Sequence, residues 1–308
     1  MSKTATSFVT LAAAIGFGVL PAQAELARTF VSSVNGNDGN DCNRLTPCRT
    51  FQAAHDKTFD QGEITVLDPG GYGAVTIGKS ISIVNDGVGE AGVLVSGGAN
   101  GITIAASTDA YVSLRGLTIQ GIGFGGGTGL RYERGFALTL TNCVIRNLTA
   151  NGIDYLPSGA NDNNLVISNT LVADNGINGI FVRPNSIGRV RVLLNRVEMY
   201  NNTFAGFIIN EMHPNGDARA TVVNSVAAHN GDAGFTSLGA GGHFIALLRS
   251  VSSNNKWGTF GTGILVGDTS VERNTSGAAA NGVFTFGDNY SFGNVNGDTL
   301  AGTLVPKQ

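Results

Sequence analysis

Asn151-Gly152-Ile153 and Asn178-Gly179-Ile180 are two copies of a short motif, in which a small or polar residue and a glycine precede an apolar residue. The same pattern occurs at Thr128-Gly129-Leu130, Ala205-Gly206-Phe207, Ala233-Gly234-Phe235, Thr262-Gly263-Ile264 and Asn281-Gly282-Val283. From Gly152 onward the glycines are spaced by 27, 27, 28, 29 and 19 residues. A repeat of roughly 20–30 residues is typical of a solenoid, in which each repeat forms one turn of a coil, here called a rung.

A second pattern keeps phase with the first. An apolar run, a polar residue and a short β-rich segment occur together at Leu138–Asn147 and recur along the chain at Leu165–Asp174, Val192–Asn201, Thr221–His229, Ala246–Asn254 and Val266–Asn274. Glycine and asparagine replace the residues that helices prefer, so the chain is predicted to be all-β. We expect Asn142, Asn169, Asn195 and Asn224 to stack into a ladder of side-chain amides.

The first residues have the pattern of a signal peptide rather than of a folded segment. Lys3 supplies the positive start, Phe8 to Leu20 an apolar run and Ala22-Gln23-Ala24 a cleavage site. The run is short for a membrane span, and no second run of spanning length follows. We therefore expect residues 1–24 to be removed, leaving an exported protein without a membrane span, which is either secreted, periplasmic or on the cell surface.

Residues 25–75 are predicted to form an N-terminal cap, and residues 76–308 the coils with a C-terminal tail. Thr50 can cap a short helix that extends to Lys57, and such a helix would cover the open apolar end of a solenoid. In an exported chain, Cys42 and Cys48 most simply form a local disulfide within this cap. Cys143 stands alone in an apolar strand and is expected to be a buried thiol.

The cap and the repeats together resemble the pectin-lyase-like, right-handed parallel β-helix proteins. The resemblance is carried by Arg28-Thr-Phe-Val, Pro47-Cys-Arg-Thr-Phe-Gln-Ala-Ala54, Pro69-Gly-Gly-Tyr72 and Ser80-Ile-Ser-Ile83, and by the repeats that follow. It implies three short parallel strands in each rung, with the first strand beginning at the glycine-apolar pair. It also implies that a substrate cleft runs along the sheet formed by these first strands.

The outward positions of the first strands carry the candidate functional residues. If the residue after each glycine points inward, the second and fourth residues after it point outward. In this reading Glu133, Asp154 and Arg183 are candidate catalytic residues, and Arg131, Phe181 and Asn210 are candidate substrate-binding residues. Glu211, which follows at a strand end, and Trp257, in the turn before a first strand, are further candidate substrate-binding residues. Arginine suits carboxylates, and an aromatic ring suits the face of a sugar. The alternative is an ordinary solvated face with ion pairs between rungs.

Other classes of site lack support in the sequence. The formal charge is −3 without a Lys/Arg block, so nucleic acid is an unexpected partner. Gly121–Gly126 fits a dinucleotide glycine pattern, but more glycine and a strand follow it rather than a helix, and we expect no cofactor. Asn35–Asp41 has the oxygen spacing of calcium loops but lacks the downstream Glu, so an Asn/Asp/Gly turn is preferred over a metal site.

Three functions follow from these observations. The preferred one is an exported protein that binds polysaccharide, or serves as a surface or envelope protein, without strong catalysis. The second is a polysaccharide lyase or glycoside hydrolase that acts on an acidic glycan along the first-strand face. The third is a structural adhesin or spike-like stalk, which needs no cleft. The sequence leaves the oligomeric state open.

Overall fold

The computed structural model describes residues 26–123, 125–300 and 302–306, and the proposed signal segment lies outside them. Strands make up 51% of the chain and helix 3%. The described elements are β1 Leu26–Val31, α1 Phe51–Lys57, β2 Thr58–Val66, β3 Gly70–Gly71, β4 Val75–Ile77, β5 Ile81–Val84, β6 Ala91–Leu94, β7 Ile102–Ala105, β8 Tyr111–Arg115, β9 Leu117–Gln120, β10 Leu130–Arg134, β11 Ala137–Thr141, β12 Val144–Arg146, β13 Ile153–Tyr155, β14 Asn163–Ala173, β15 Ile180–Val182, β16 Arg189–Tyr200, β17 Phe207–Glu211, β18 Asp217–Val223, β19 Val226–Ala228, β20 Ala233–Gly239, β21 Gly242–Leu248, β22 Val251–Ser253, β23 Trp257–Gly261, β24 Ile264–Gly267, β25 Ser270–Glu272, β26 Gly277–Ala279, β27 Val283–Thr285, β28 Tyr290–Phe292 and β29 Gly302–Leu304.

These strands form two parallel sheets that wind around one apolar core. The first sheet contains nine strands in the order β4-β7-β10-β13-β15-β17-β20-β23-β26, so each strand pairs with the next first-sheet strand along the chain. The second sheet holds the other strands in two rows, joined where β14 and β16 run through a corner. Every strand pair is parallel, as in β10 with β13 and β13 with β15. The predicted all-β solenoid is confirmed.

Glycines hold the rungs close together where the chain enters the first sheet. A Cβ atom on Gly152 would lie 2.7 Å from the carbonyl oxygen of Gly179, and one on Gly179 would lie 2.6 Å from that of Gly206. These distances are shorter than a carbon–oxygen contact permits, so only glycine fits between the rungs. The repeated motif therefore marks the corner before each first-sheet strand.

Two copies of that motif do not mark a first-sheet strand. Ile264 lies in β24 and Val283 in β27, both in the second sheet. The first-sheet strands of these rungs are instead β23 and β26. In β23 the inward position after Gly258 is held by Thr259 rather than by an apolar residue, and this departure from the pattern hid the strand.

The helix α1 covers the N-terminal edge of the first sheet. Thr50 accepts a hydrogen bond from the Ala53 amide at 3.2 Å and caps the helix as predicted. The edge strand β4 and the residue after it donate to the helix: the Thr76 amide to Gln52 at 2.8 Å, and the Gly78 amide to His55 at 3.2 Å. Helix side chains thus satisfy backbone donors that would otherwise remain open for pairing. Cys42 and Cys48 are joined in this region, as predicted, and Cys143 is free and buried.

One bond of the predicted asparagine ladder forms, from the Asn224 side-chain amide to Asn195 at 3.3 Å, but the continuous ladder lies in a different turn. Asn142, Asn169 and Asn224 occupy a corner with φ near +50°, which asparagine tolerates better than most residues, and there they face solvent. Arg196, rather than Asn195, holds that corner in its rung. The buried amide-to-amide bonds, 2.8–3.3 Å long, lie in the turn before the first sheet and link Asn175, Asn202, Asn230, Asn255, Asn274 and Asn294.

Candidate functional site

The outward positions of β10, β13 and β15 form a continuous strip on the first sheet. Strand register places Arg131 beside Asp154, and Asp154 beside Phe181. The inward neighbours Leu130, Tyr132, Ile180 and Val182 are all fully buried, which agrees with the predicted alternation. Glu133 lies two residues after Arg131 in β10, and Arg183 lies two residues after Phe181, just past the end of β15, so both are on the same outward side.

Four of these side chains form one ionic cluster, which we call the Arg–Asp cluster: Arg131, Glu133, Asp154 and Arg183. Arg183 donates through Nε to Oδ1 of Asp154 at 2.7 Å and through Nη2 to Oδ2 at 2.6 Å. Arg131 donates through Nη1 to the same Oδ2 at 2.9 Å and through Nε to Glu133 at 2.7 Å. Two cations and two anions balance, so the cluster carries no net charge.

The members of the Arg–Asp cluster differ in their exposure to solvent. The side chain of Asp154 is 2% exposed, whereas those of Arg131 and Arg183 are 28% and 29% exposed and that of Glu133 is 43% exposed. Asp154 is thus the buried anchor, and the two guanidinium groups cover it. Within the described residues, no side chain or carbonyl accepts from Nη2 of Arg131 or Nη1 of Arg183. These donors are available to a ligand.

Arg183 remains a cation in this setting. Its hydrogen bonds to Asp154 are the largest cause of a raised pKa; partial burial lowers that pKa, and the charge of Asp154 raises it further. The Arg183 guanidinium also lies 5.2 Å from the centre of the Phe181 ring, close enough for a cation–π contact. Both features hold the group as a fixed donor, and they oppose its use as a proton-accepting base.

The inner side of the same strands is a rigid aromatic layer. The rings of Tyr132 and Tyr155 stack with centroids 4.2 Å apart, and the Tyr132 hydroxyl bonds Asn163 at 3.1 Å. Burial raises the pKa of Tyr132 to about 12, and burial is also the largest cause of the strongly raised pKa of Tyr155. Both phenols therefore stay neutral and structural, and they fix the backbone from which Arg131 and Asp154 project.

The remaining predicted binding residues do not join the Arg–Asp cluster. Asn210 faces outward in β17, but Glu211, the next residue, points inward and is fully buried, so its assignment to an exposed strip is wrong. Alternation along the strand explains the correction, because neighbouring residues take opposite faces. Trp257 begins β23, three strands beyond Phe181 in the order of the first sheet. At the usual strand spacing this corresponds to about 14 Å along the direction in which the strands stack.

The first sheet continues beyond Phe181 with Ile208, which the predicted alternation also places outward, and with two residues that the repeated motif did not identify. Ile208, Thr236 and Phe260 occupy the same column in the following strands. Ile208 and Phe260 are partly exposed. Thr236, on the strand that lies between theirs, is buried. Thr236 is the second residue after Gly234, so the alternation rule could have identified it. Phe260 is the second residue after Gly258, but Thr259 stands where the motif requires an apolar residue. The strip is therefore ionic at one end and largely apolar at the other.

The calcium alternative for Asn35–Asp41 has a structural explanation. The Asp38 carboxylate accepts from the backbone amides of Arg49 and Thr50, at 2.8 and 2.9 Å, and thereby fixes the start of α1. Among the described residues, no group of three or more His, Cys, Asp or Glu side chains is arranged to hold a metal ion. The same part of the chain contains no helix with the length and hydropathy to cross a bilayer.

Comparison with solved structures identifies the architecture. Pectate lyase Pel9A superposes with a TM-score of 0.60 at 17% identity, over 87% of this chain and 74% of that one. The A-module of the mannuronan C-5 epimerase AlgE4 of Azotobacter vinelandii gives 0.52 at 17% identity, over 73% of this chain and 65% of the module. The sequence matches no protein-family model and no curated protein. The fold is a right-handed parallel β-helix.

Proposed function

We propose that the protein binds an acidic polysaccharide along the first sheet, with Arg183 as the principal carboxylate contact and Arg131 as the second. One observation carries this proposal: a buried carboxylate, Asp154, fixes two partly exposed guanidinium groups on the outer face of a rigid sheet. Each group keeps N–H donors that no described residue uses. Paired arginines with fixed orientation suit the planar geometry of a uronate carboxylate.

The same geometry supports binding over hydrolysis. An inverting glycosidase keeps its two carboxyl groups about 6.5–9.5 Å apart so that a water molecule fits between them. Here a single guanidinium, that of Arg131, bonds both Glu133 and Asp154 and occupies the space between the two carboxylates. All three hydrogen bonds to Asp154 come from the two guanidinium groups, so both of its oxygens are occupied as acceptors.

Glu133 makes the proposal testable in both directions. It is the most exposed member of the Arg–Asp cluster, and it competes with a ligand carboxylate for Arg131. Replacing Glu133 by Gln removes one negative charge from the face and weakens its hold on Arg131. A binding protein should therefore gain affinity for acidic glycan in Glu133→Gln, whereas a hydrolase that uses Glu133 should lose turnover.

The experiment is affinity electrophoresis in gels that contain polygalacturonate or alginate. Arg183→Ala should weaken retention by about 1–3 kcal/mol, the range for charge-assisted hydrogen bonds. Arg219→Ala is the matched control, because Arg219 is also ion-paired but lies on β18 in the second sheet. Equal retention of wild type, Arg183→Ala and Arg219→Ala would end the proposal. Release of reducing or unsaturated ends from the same glycans, abolished in Glu133→Gln, would instead assign a catalytic role.

Export remains part of the proposal. The Cys42–Cys48 disulfide favours an oxidising compartment, and the segment before residue 25 has the pattern of a signal peptide. Cell fractionation with detection of the mature N-terminus by mass spectrometry checks the cleavage after Ala24.

A further inference from the structure

A small pocket lies at the C-terminal end of the first sheet, away from the Arg–Asp cluster. Its volume is about 230 Å³, and Trp257, the sole tryptophan of the chain, forms one wall. Ser276, Asn296 and Thr299 contribute polar side chains, and the other lining residues are glycine or alanine. The pocket thus combines one large ring, three hydrogen-bonding groups and otherwise bare backbone.

The polar groups of this pocket are uncharged and available. Within the described part of the chain, the side chains of Ser276, Asn296 and Thr299 make no hydrogen bond. The charged residues next in sequence are engaged elsewhere: Lys256 lies 3.7 Å from Asp232, and Asp298 accepts from the side-chain amide of Asn294 at 2.9 Å. A ligand in the pocket would therefore meet hydroxyl and amide groups and no lining charge.

Small neighbours leave the tryptophan ring accessible. In strand register Trp257 lies between Ala233 and Gly277, so neither adjacent strand places a large side chain beside it. A Cβ atom added to Gly277 would lie 2.8 Å from Cζ3 of the ring, so any larger residue there must displace the ring or fill the space. The absence of a side chain at position 277 preserves the pocket.

We infer that this pocket is a binding subsite for one uncharged sugar residue. The volume is below the roughly 300–1,000 Å³ of sites for drug-sized ligands, so it suits a single ring. An indole face packs against the apolar C–H surface of a sugar, while hydroxyl and amide side chains bond its hydroxyls. The inference rests on the proposed function, because it takes the ligand to be a glycan, but it concerns a neutral residue and a different part of the sheet.

Intrinsic fluorescence tests the inference directly, because Trp257 is the only tryptophan and its emission reports on this pocket. The protein is titrated to millimolar concentration with neutral tetrasaccharides of galactose, glucose, mannose and xylose, and with tetragalacturonate. At least one neutral tetrasaccharide should give a saturable change in emission. Arg183→Ala should give the same change, since three strand spacings, about 14 Å, separate the nearest strand of the Arg–Asp cluster from β23.

Calorimetry with the neutral tetrasaccharide that gives the largest change supplies the second measurement. Asn296→Ala and Gly277→Val should each weaken binding by about tenfold or more, a loss of about 1.4 kcal/mol. Tyr290→Ala is the control, because Tyr290 is an exposed aromatic residue outside the pocket. Asn296→Ala changes an exposed loop residue and keeps the test valid if Gly277→Val does not fold.

Two outcomes would overturn the inference. One is the absence of a saturable change with every neutral tetrasaccharide; the other is unaltered affinity in both pocket variants. A response to tetragalacturonate alone also contradicts it, while leaving the proposed function in place. Conversely, a neutral-sugar response combined with equal acidic-glycan retention of wild type and Arg183→Ala would reject the proposed function and keep the subsite.

Discussion

Arg183 binds Asp154 of the preceding rung with both ends of its guanidinium fork, Nε to Oδ1 at 2.7 Å and Nη2 to Oδ2 at 2.6 Å. Bidentate pairing of this kind fixes orientation as well as distance. Because Asp154 also accepts from Arg131, one buried carboxylate aligns cations on two different strands. The outer face of the sheet thereby presents a fixed pair of donors rather than two mobile side chains.

Asp154→Asn should destabilise the fold by about 3 kcal/mol, because removing one partner of a buried ion pair leaves the other charges uncompensated. Two adjacent guanidinium groups would then repel each other across a neutral amide. Chemical denaturation measures the loss. Asp217→Asn is the matched control, since Asp217 also accepts from two arginines, Arg191 and Arg219, but is 27% exposed. The control should lose about 1 kcal/mol or less. Equal losses of stability in the two variants would show that the burial of Asp154 contributes nothing to the stability of the fold.

The spacing of the glycines predicted the solenoid, because the corner that they occupy leaves no room for a side chain in the regular rungs. Gly152, Gly179 and Gly206 each face the backbone of the next rung. The prediction weakened where the repeat itself changes: the rung that contains β23 has a threonine in place of the apolar residue, and two later glycine-apolar pairs lie in the second sheet.

Alternation predicted which residues face outward, but not the contacts among them. The alternation rule correctly placed Arg131, Asp154 and Arg183 on one outward strip. Whether Arg183 bonds Asp154 or solvent depends on how far its side chain extends across to the neighbouring strand, which the sequence does not give. For Glu211, by contrast, the predicted exposure itself was wrong. A charged residue at a strand end is usually exposed, and here the chain turns sharply through Gly216, Gly239 and Gly241, so that Glu211 is enclosed by backbone.

Only the Asn224–Asn195 bond of the predicted ladder forms, and the continuous ladder lies in another corner, because asparagine serves two purposes in this fold. In one corner it adopts a positive φ and faces solvent, a role that Arg196 and Arg249 also fill. In the other it is buried, and its amide both accepts and donates between rungs. Sequence spacing is the same for both columns, so only burial distinguishes them.

Asn202→Ala tests the buried column. It removes the acceptor of the Asn175 side-chain amide and the donor to Asn230, and it leaves buried polar groups unpaired. A loss of about 2–4 kcal/mol is expected from the desolvation of these groups. Asn142→Gly is the control, because Asn142 is exposed and glycine accepts its φ of 55°. Thermal and urea denaturation of both variants decide, and a larger loss in Asn142→Gly would contradict the assignment of the ladder.

Two neighbouring isoleucines test the inward and outward assignment of β17. Ile209 is fully buried, and Ile208 is partly exposed on the opposite face. Ile209→Asp places a carboxylate in the apolar core and should cost several kcal/mol, enough to unfold the coil or prevent soluble expression. Ile208→Asp should fold, with a loss of about 1–2 kcal/mol from the removed apolar contact. Circular dichroism melting curves compare them, and the same Tm for both variants would show that the assigned faces are wrong.

Thiol reactivity tests the cysteine assignment. Burial is the largest cause of the raised pKa of Cys143, so this thiol should resist alkylation in the native state at neutral pH. Mass spectrometry of protein treated with iodoacetamide, without reductant, should find no modified cysteine when folded and one after denaturation. Modification of Cys42 or Cys48 under these conditions would mean that the disulfide is not formed.

Glu211 should make stability depend on pH. Burial is the largest cause of its raised pKa; a hydrogen bond from the His213 amide lowers the pKa, and the charge of Asp217 raises it. Because the folded-state pKa lies above the unfolded value of about 4.5, the folded protein binds the proton more tightly. The stability that Glu211 contributes is then fully present below pH 4.5, and it is lost as pH rises toward the folded-state pKa.

The variant Glu211→Gln tests this dependence. Its side chain cannot ionise, so the fall in urea midpoint between pH 4.5 and 8 should be smaller than in wild type. An unchanged slope in Glu211→Gln would show that Glu211 is already solvated in the folded protein.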